Sequence, residues 1–225
     1  MRYRISPAAD HALPLPDTLS DVVFPGAGGT ARIARDVALI VAGSLLVALF
    51  AQIKIPLGFT PVPITGQTFA VLLVGALLGG WRGGLALALY AIEGAFLPFF
   101  AGGASGWFWL LPSGGYIVGF IPAAALVGFL CQWGWSRRPW VLLAMLLGNV
   151  VLYVPGLIQL NLFHPADVPS AWGCGDVWQC GLLPFIPGDL VKLVAASLVV
   201  PAGWALLDRF IVPPGNGSGF PRKRE

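Results

Sequence analysis

Charged and titratable side chains are scarce in this sequence. Asp, Glu, Lys and Arg make up 10% of the 225 residues, and the chain has two histidines and three cysteines. A soluble domain of this length needs more charge to cover its surface, so the composition excludes an ordinary water-soluble protein. The chain has no Walker motif, no GxGxxG motif and no Cys/His cluster with metal spacing. We therefore expect it neither to hydrolyse ATP nor to bind a metal or cofactor.

Apolar residues and glycine are abundant instead. The chain is 57% hydrophobic with a mean hydropathy of +0.81, and it contains 30 glycines and nine tryptophans. This composition is typical of a compact helical bundle in a lipid bilayer, with aromatic residues at the interfaces and small residues where helices touch. Residues 1–30 predict a disordered cytoplasmic tail, residues 31–210 the membrane domain, and residues 211–225 a polar basic tail.

The apolar runs predict an all-α integral membrane protein with six transmembrane helices. The run from Val37 to Ile53 is uncharged and has about the minimum length that spans hydrocarbon as a helix. The other predicted helices cover Thr68–Gly80, Gly84–Leu97, about Tyr116–Trp133, about Trp140–Phe163, and a last run that ends near Asp208.

The basic residues predict the orientation. With six helices both termini share one side, and that side carries eleven of the 13 Lys and Arg residues. Only Lys54 and Lys192 fall on the opposite side. The positive-inside rule makes the basic side, with both termini, cytoplasmic. The net charge of +3 follows from this asymmetry and does not point to nucleic acid.

A charged pair lies at the start of the last helix, in the segment Pro187-Gly188-Asp189-Leu190-Val191-Lys192. Asp189 and Lys192 are three residues apart and therefore project from one helix face. Two interpretations follow from the residue types. The charges neutralise each other as a structural ion pair, or they bind a polar ligand, since unpaired charge at a membrane edge is costly.

Two non-helical segments on the same outer side predict walls of a site. Three prolines within residues 56–63 exclude a helix interior, so the segment that carries Thr60 and Thr65 must be extended. It is either a lid over a site or a rigid interfacial loop. Residues 98–116 combine dense glycine with Phe, Trp and Tyr, a pattern typical of backbone that approaches a small apolar molecule. Tyr153, in the fifth helix, either faces this site or bonds to a neighbouring helix.

Three further patterns are open at this stage. Ala34, Ala38 and Ala42 recur every four residues, which fits ordinary helix packing or the close approach of a partner helix. Cys174 and Cys180 lie together in the last outer loop, where oxidising conditions permit a disulfide. The run 103–106 fits the G-x-S-G of intramembrane serine proteases, but such an enzyme also needs a helix-borne histidine, and the two histidines lie in the tail and at a loop edge.

Several of these motifs together resemble one transporter family. They are Gln52-Ile53-Lys54-Ile55-Pro56-Leu57, Phe59-Thr60-Pro61-Val62-Pro63-Ile64-Thr65 with Gln67-Thr68, Phe100-Ala101-Gly102-Gly103, Gly114-Gly115-Tyr116, and Pro187-Gly188-Asp189 with Lys192. This combination is similar to the biotin-specific substrate-binding subunit (BioY) of energy-coupling factor (ECF) transporters. The resemblance runs from about Ala34 to Leu207. The sequence differs in having Leu111-Pro112-Ser113 where the family usually has Gly-Pro-Thr.

The resemblance implies a function in vitamin uptake. A six-helix subunit in the inner plasma membrane would capture biotin outside and work with a transmembrane coupling protein and two ATPases, which use the ATP. A subunit for another vitamin is the nearest alternative. The implied ligand site comprises Asp189, Lys192, Gly102, Gly103, Gly114, Gly115, Tyr116, Thr60, Thr65 and, with less support, Tyr153. The face formed by Ala34, Ala38 and Ala42 would meet the coupling protein.

Overall fold

Six helices of 12 or more residues account for most of the described chain. The structure is a computed structural model that describes residues 18–25, 28–137, 140–163 and 176–211. The helices are α1 (Leu19–Val23), α2 (Thr30–Ala51), α3 (Gln67–Leu78), α4 (Gly80–Phe96), α5 (Gly114–Gln132), α6 (Trp140–Phe163), α7 (Val177–Gly181) and α8 (Ile186–Ile211). Single 3-10 turns at Phe108–Leu110 and Trp135–Arg137 precede α5 and α6.

Four segments of the described chain are long and apolar enough to cross a membrane. They are Thr30–Ala51, Gly114–Gln132, Trp140–Leu162 and Val177–Leu207, the last of which joins α7 to α8. The apolar α3 and α4 have 12 and 17 residues, fewer than the roughly 20 that span hydrocarbon. A mostly helical fold with four candidate membrane spans is therefore confirmed, whereas six crossings and the side of the termini stay predictions.

Hydrogen bonds between segments define two ends of the bundle. At the first, Gly102 N–H donates to the Ala51 carbonyl at 3.0 Å, and Thr60 Oγ1 donates to the Cys180 carbonyl at 2.7 Å. This end, which we call the site end, brings together the loops before α3 and α5, α7 and the start of α8. At the opposite end, Gly80 N–H donates to Gln132 Oε1 at 3.0 Å. That end also holds α1 and is called the α1 end.

Glycine allows α5 to pack closely against its neighbours. A Cβ atom added at Gly115 would lie 2.1 Å from the Pro155 carbonyl oxygen of α6, and one at Gly75 of α3 would lie 2.4 Å from the Ala124 oxygen. Real Cβ atoms do not approach this closely, so only glycine fits at these contacts. Helices in lipid associate through such backbone contacts because apolar side chains gain little there from leaving the lipid.

The proline-rich segment is extended, as its sequence predicts. Lys54–Ile55 and Ile64–Thr65 form two short antiparallel strands, β1 and β2. They are the exception to an all-α fold. Between them Thr60 is buried, and its hydroxyl also accepts a hydrogen bond from Val62 N–H at 3.2 Å. The segment is thus tied down over α7 at the site end.

A cluster of four charges joins α1 to the α1 end. Arg82 Nη2 lies 2.8 Å from Asp21 Oδ1, and Arg35 Nη2 lies 2.7 Å from Asp36 Oδ1. Arg82 Nε is 3.1 Å from Asp36 Oδ1, but its N–H is not aligned for a hydrogen bond, so that contact is an ion pair only. Both arginines therefore lie between the two carboxylates.

The helix α1 differs from the predicted tail. Residues 19–23 fall within the segment expected to be disordered, yet they form a helix. Thr18 caps it, because its hydroxyl accepts from Asp21 N–H while Asp21 Oδ2 accepts from Thr18 N–H. The charge cluster then holds the helix against the bundle, a contact that local sequence composition did not indicate. Residues 1–17 and 212–225 lie outside the described residues.

Candidate functional site

A partly open cavity lies at the site end, and its lining combines polar and apolar side chains. The empty space within it and at its mouth totals about 580 Å³. Its polar lining consists of Thr65, Gln67, Thr68, Ser113, Tyr116, Tyr153, Asp189 and Lys192. Its apolar lining consists of Val62, Pro63, Phe100, Ala101, Ile117, Phe120, Leu152 and Phe185.

The start of α8 places Asp189 in this cavity. Pro187 occupies the first turn, where a missing N–H costs no helical hydrogen bond. Asp189 N–H donates to the Phe185 carbonyl at 2.8 Å and closes that turn. A carboxylate in the first turn also interacts favourably with the helix dipole. The side chain of Asp189 is only 4% exposed, so its charge must be compensated by its neighbours.

Three donors compensate the Asp189 carboxylate. Lys192 Nζ donates to Oδ1 at 3.0 Å, Thr68 Oγ1 donates to the same oxygen at 3.1 Å, and Tyr153 Oη donates to Oδ2 at 2.5 Å. Lys192 Nζ also donates to Thr68 Oγ1 at 3.2 Å. The ion pair that the sequence suggested therefore exists, and it also faces a cavity, so the two interpretations are not exclusive.

The pair retains hydrogen-bonding capacity beyond these contacts. A carboxylate offers about four acceptor positions, and an ammonium group has three donors. Asp189 accepts three hydrogen bonds and Lys192 donates two. Within the described residues this count leaves one acceptor position on Asp189 and one donor on Lys192, and both residues line the cavity. This arrangement suits a ligand that has an N–H donor next to a carbonyl oxygen.

Two tyrosines from facing helices form a wall beside the pair. Tyr116 and Tyr153 meet edge to face, with ring centroids 5.9 Å apart and an interplanar angle of 85°. Tyr116 Oη donates to the Gly181 carbonyl at 2.8 Å. A Cβ atom at Gly156 would lie 2.4 Å from the Tyr116 ring, so this glycine makes room for it. Aromatic faces of this kind suit a flat apolar ligand group.

A series of side-chain hydrogen bonds, which we call the relay, connects the loops around the cavity. Thr65 Oγ1 donates to Gln67 Oε1 at 2.8 Å, and Gln67 Nε2 donates to Tyr90 Oη at 2.6 Å. Tyr90 Oη in turn donates to the Phe99 carbonyl at 3.1 Å. The relay links the proline-rich segment, α3, α4 and the loop before α5. Its members are bonded to one another, so they set the shape of the cavity.

The structure separates the sequence-predicted site residues into two groups. Thr65, Tyr116, Tyr153, Asp189 and Lys192 line the cavity together. The second group is not among the lining residues and comprises Thr60, Gly102, Gly103, Gly114 and Gly115.

The four glycines of the second group are explained by backbone packing and backbone conformation. A Cβ atom at Gly114 would lie 1.7 Å from the Phe108 oxygen, so the start of α5 packs directly on the preceding turn. Gly102 and Gly103 have positive φ angles of 68° and 79°, a conformation that favours glycine. They turn the chain immediately after Ala101, which lines the cavity.

Sequence reasoning missed Thr68 and Gln67 as lining side chains. Both were quoted within a motif, but neither was assigned a role at the site. Their position in the first turn of α3, directly after the proline-rich segment, was the available signal. What the sequence did not reveal is that Thr68 lies against Asp189, 121 residues away.

The remaining predicted features that the structure describes lie on α2, in α7 and in the loop before α5. Ala34, Ala38 and Ala42 are exposed on α2. Cys180 is buried, but Cys174 lies outside the described residues, so their disulfide stays a prediction. Ser105 of the protease-like run is exposed in the loop before α5, and both histidines lie outside the described residues. Within the described ranges, no group of three or more His, Cys, Asp or Glu could hold a metal.

Comparison with known proteins identifies the family. The sequence model of the BioY family matches residues 20–209. The chain belongs to the BioY family. Among curated relatives, it is 40% identical over 174 residues to the biotin transporter BioY of Rhodobacter capsulatus, covering 68% of this chain and 88% of that protein. It is also 40% identical over 156 residues to the biotin transporter BioY of Thermotoga maritima, covering 68% and 86%.

A solved structure agrees with this BioY assignment. The chain matches the S-component for biotin from an ECF-type ABC transporter with a TM-score of 0.66 and 25% identity. The match covers 78% of this chain and 94% of the other. The family resemblance inferred from the motifs is therefore confirmed, and the BioY match includes every cavity-lining residue.

Proposed function

We propose that this chain is the biotin-binding membrane subunit of an ECF-type uptake system and not an enzyme. The observation that carries the proposal is the Asp189–Lys192 pair, which faces a cavity with one acceptor position and one donor to spare. The BioY family, and relatives named as biotin transporters, support the choice of ligand. The protein would take up biotin from the outer side of the membrane.

Biotin matches the cavity chemically. Its ureido group has N–H donors beside a carbonyl acceptor, and its fused rings are mostly apolar. In the proposed complex an N–H group donates to Asp189, the carbonyl oxygen accepts from Lys192, and the rings contact the Tyr116 and Tyr153 wall. Charge-assisted hydrogen bonds of this type are among the stronger ones. A ligand that lacks the N–H group would leave a buried acceptor unpaired and bind more weakly.

The predicted site residues are assigned by their place relative to the cavity. Thr65, Tyr116, Tyr153, Asp189 and Lys192 would contact the ligand directly. The second group, Thr60, Gly102, Gly103, Gly114 and Gly115, would shape the site from behind through backbone turns and close contacts. In this proposal the proline-rich segment covers the ligand.

The proposed topology has six helices in the inner plasma membrane and both termini in the cytoplasm. The α1 end carries the described arginines Arg32, Arg35, Arg82 and Arg209, whereas Lys54 and Lys192 are at the site end. This asymmetry supports a cytoplasmic α1 end. The short α3 and α4 would then cross by packing against neighbouring helices and local thinning of the bilayer.

The exposed stripe Ala34, Ala38 and Ala42 is the proposed contact with a transmembrane coupling protein. Small residues four apart let a partner helix approach closely. ATPase subunits of the same transporter would supply the energy. We expect Ala38→Trp to abolish co-purification with the coupling protein and to leave biotin affinity unchanged. Recovery of the full complex with this variant would contradict the assignment.

A direct test of the ligand uses the purified subunit. After purification without added vitamin, the bound small molecules are released and identified by mass, and biotin affinity is measured by titration calorimetry. We expect biotin to be retained and to bind tightly. Retention of a different vitamin, together with no measurable biotin binding, would overturn the proposal.

A further inference from the structure

The Asp189–Lys192 pair does not account for the charge of the proposed ligand. Lys192 balances Asp189 at 3.0 Å, so the pair is close to neutral as a unit. Biotin carries a carboxylate on a flexible tail, at a distance from its ureido group. A second cation at the site end would compensate that charge. This inference rests on the proposed function.

Lys54 is the other cation at the site end among the described residues. It lies in β1, is exposed, and has no carboxylate within ion-pair distance in the described chain. Its counterparts at the α1 end, Arg35 and Arg82, are each paired with aspartates. The strand partner of Lys54, Thr65, lines the cavity, so this cation is available to an anionic ligand at the site end.

The loop before α5 is shaped to hold the stem of Lys54. A Cβ atom at Gly102 would lie 2.6 Å from Lys54 Cδ and 3.4 Å from Nζ. The Lys54 side chain thus passes directly over Gly102, where an added Cβ atom would force it to shift. Gly102 N–H is bonded to the Ala51 carbonyl at 3.0 Å, which fixes the loop to the end of α2. The next residue, Ala101, lines the cavity.

We propose that Lys54 is a specificity-determining residue that binds the carboxylate of the ligand at the rim of the cavity. In this arrangement Asp189 and Lys192 bind the ureido group, and the two ends of the ligand are recognised separately. Because Lys54 is exposed, its interaction is screened by salt. It therefore selects acids over neutral analogues, whereas the buried pair selects the ring system.

The test compares biotin with biotin amide, which keeps the rings and replaces the carboxylate by a neutral group. Both ligands are titrated into the purified wild type and into Lys54→Met, Lys54→Arg and Arg32→Met. Methionine retains an apolar stem of similar length over Gly102, so the variant removes the charge with little loss of packing. Arg32→Met removes one exposed positive charge at the α1 end and is the matched control.

We expect Lys54→Met to lower biotin affinity by about tenfold, the effect of losing one charge-assisted contact. Affinity for biotin amide should stay unchanged, and Lys54→Arg and Arg32→Met should bind biotin nearly as the wild type does. In the wild type, added salt should weaken biotin more than biotin amide.

Two results would overturn the proposal while leaving the proposed function intact. One is unchanged biotin affinity in Lys54→Met, and the other is an equal loss for biotin and biotin amide, which would indicate a disturbed loop. If the wild type binds neither ligand, the proposed function fails and this inference fails with it.

Discussion

Asp189 and Asp36 are both buried carboxylates, at opposite ends of the helix bundle. Asp36 lies 2.7 Å from Arg35 Nη2 and 3.1 Å from Arg82 Nε. Asp189 has one lysine and two hydroxyl groups as neighbours and lines a cavity. Guanidinium groups present several donors in a rigid fork and bond two carboxylates at once, whereas an ammonium group is a compact charge. The charged groups at the α1 end therefore pair with one another, whereas the site end can still bind a ligand.

This difference predicts that the two ends affect different measurements. Substitutions at the α1 end should change the free energy of unfolding and leave ligand affinity nearly constant. Substitutions at the site end should change ligand affinity with a smaller effect on unfolding. Four experiments test whether stability and ligand affinity separate in this way.

Arg82→Met should give the largest effect. Arg82 is 4% exposed and contacts Asp21 at 2.8 Å, so its loss leaves the buried Asp36 and the partly buried Asp21 with Arg35 alone. Breaking a buried pair on one side costs about 3–5 kcal/mol. We expect a marked fall in the Tm of the purified protein and unchanged biotin affinity at a temperature where the variant is folded. The exposed Arg32→Met is the control and should keep the wild-type Tm.

Asp189→Asn tests the site end. The amide cannot carry the negative charge that balances Lys192 and receives the ligand N–H. We expect biotin affinity, measured by calorimetry, to fall tenfold or more, about 1.4 kcal/mol. The Tm should change less than in Arg82→Met. Unchanged affinity would end the assignment of Asp189 to the ligand.

Tyr153→Phe removes one donor from the same carboxylate. Tyr153 Oη donates to Asp189 Oδ2 at 2.5 Å, and we expect its loss to weaken biotin binding by about 1 kcal/mol, roughly fivefold. Tyr90→Phe removes a buried hydroxyl that bonds to Gln67 and the Phe99 carbonyl rather than to Asp189, so it measures how far the loss of such a hydroxyl affects binding without the Asp189 contact. An equal loss in both variants would show that the effect is general to buried tyrosines.

Acid titration of the charge cluster should give the smallest effect. Burial raises the pKa of Asp21, but the hydrogen bonds from Arg82 and Thr18 outweigh it and hold the pKa below its ordinary value of 3.8. The ionised group therefore stabilises the fold above that value, and the stabilisation is lost as the pH falls through the lower folded-state pKa. The Tm of the wild type should drop more steeply below about pH 4 than that of Asp21→Asn. Parallel curves would contradict this.

Sequence patterns predicted much of the site because its charges are costly in a membrane. Asp189 and Lys192 stood out as charges beside an apolar run, and their spacing of three residues predicted the pair that forms at 3.0 Å. The prolines of residues 56–63 predicted an extended segment, because proline is excluded from a helix interior. Tyr153 was the weaker candidate, because a single tyrosine in an apolar helix has no pattern that shows which neighbour it faces.

The parts that the sequence left open depend on contacts between distant segments. The interpretation of residues 1–30 as a tail did not include α1, whose position depends on Arg35 and Arg82. The glycines of the motifs were expected to line the site, whereas Gly114 and Gly115 pack against backbone and Ala101 takes the lining position. A glycine pattern indicates that another group approaches the backbone closely, but it does not identify that group.

The sequence by itself determined that this chain belongs in a membrane, roughly where its six long helices run, and which two charges needed an explanation. These follow from hydropathy, helix period and the cost of charge in lipid, all of which act within a few residues. Only the tertiary structure decided that Thr68 and Tyr153 complete the hydrogen bonding of Asp189, and that Lys54 lies across Gly102, the residue after the cavity-lining Ala101. Those contacts join residues 36 to 121 positions apart, and their geometry depends on how the helices pack.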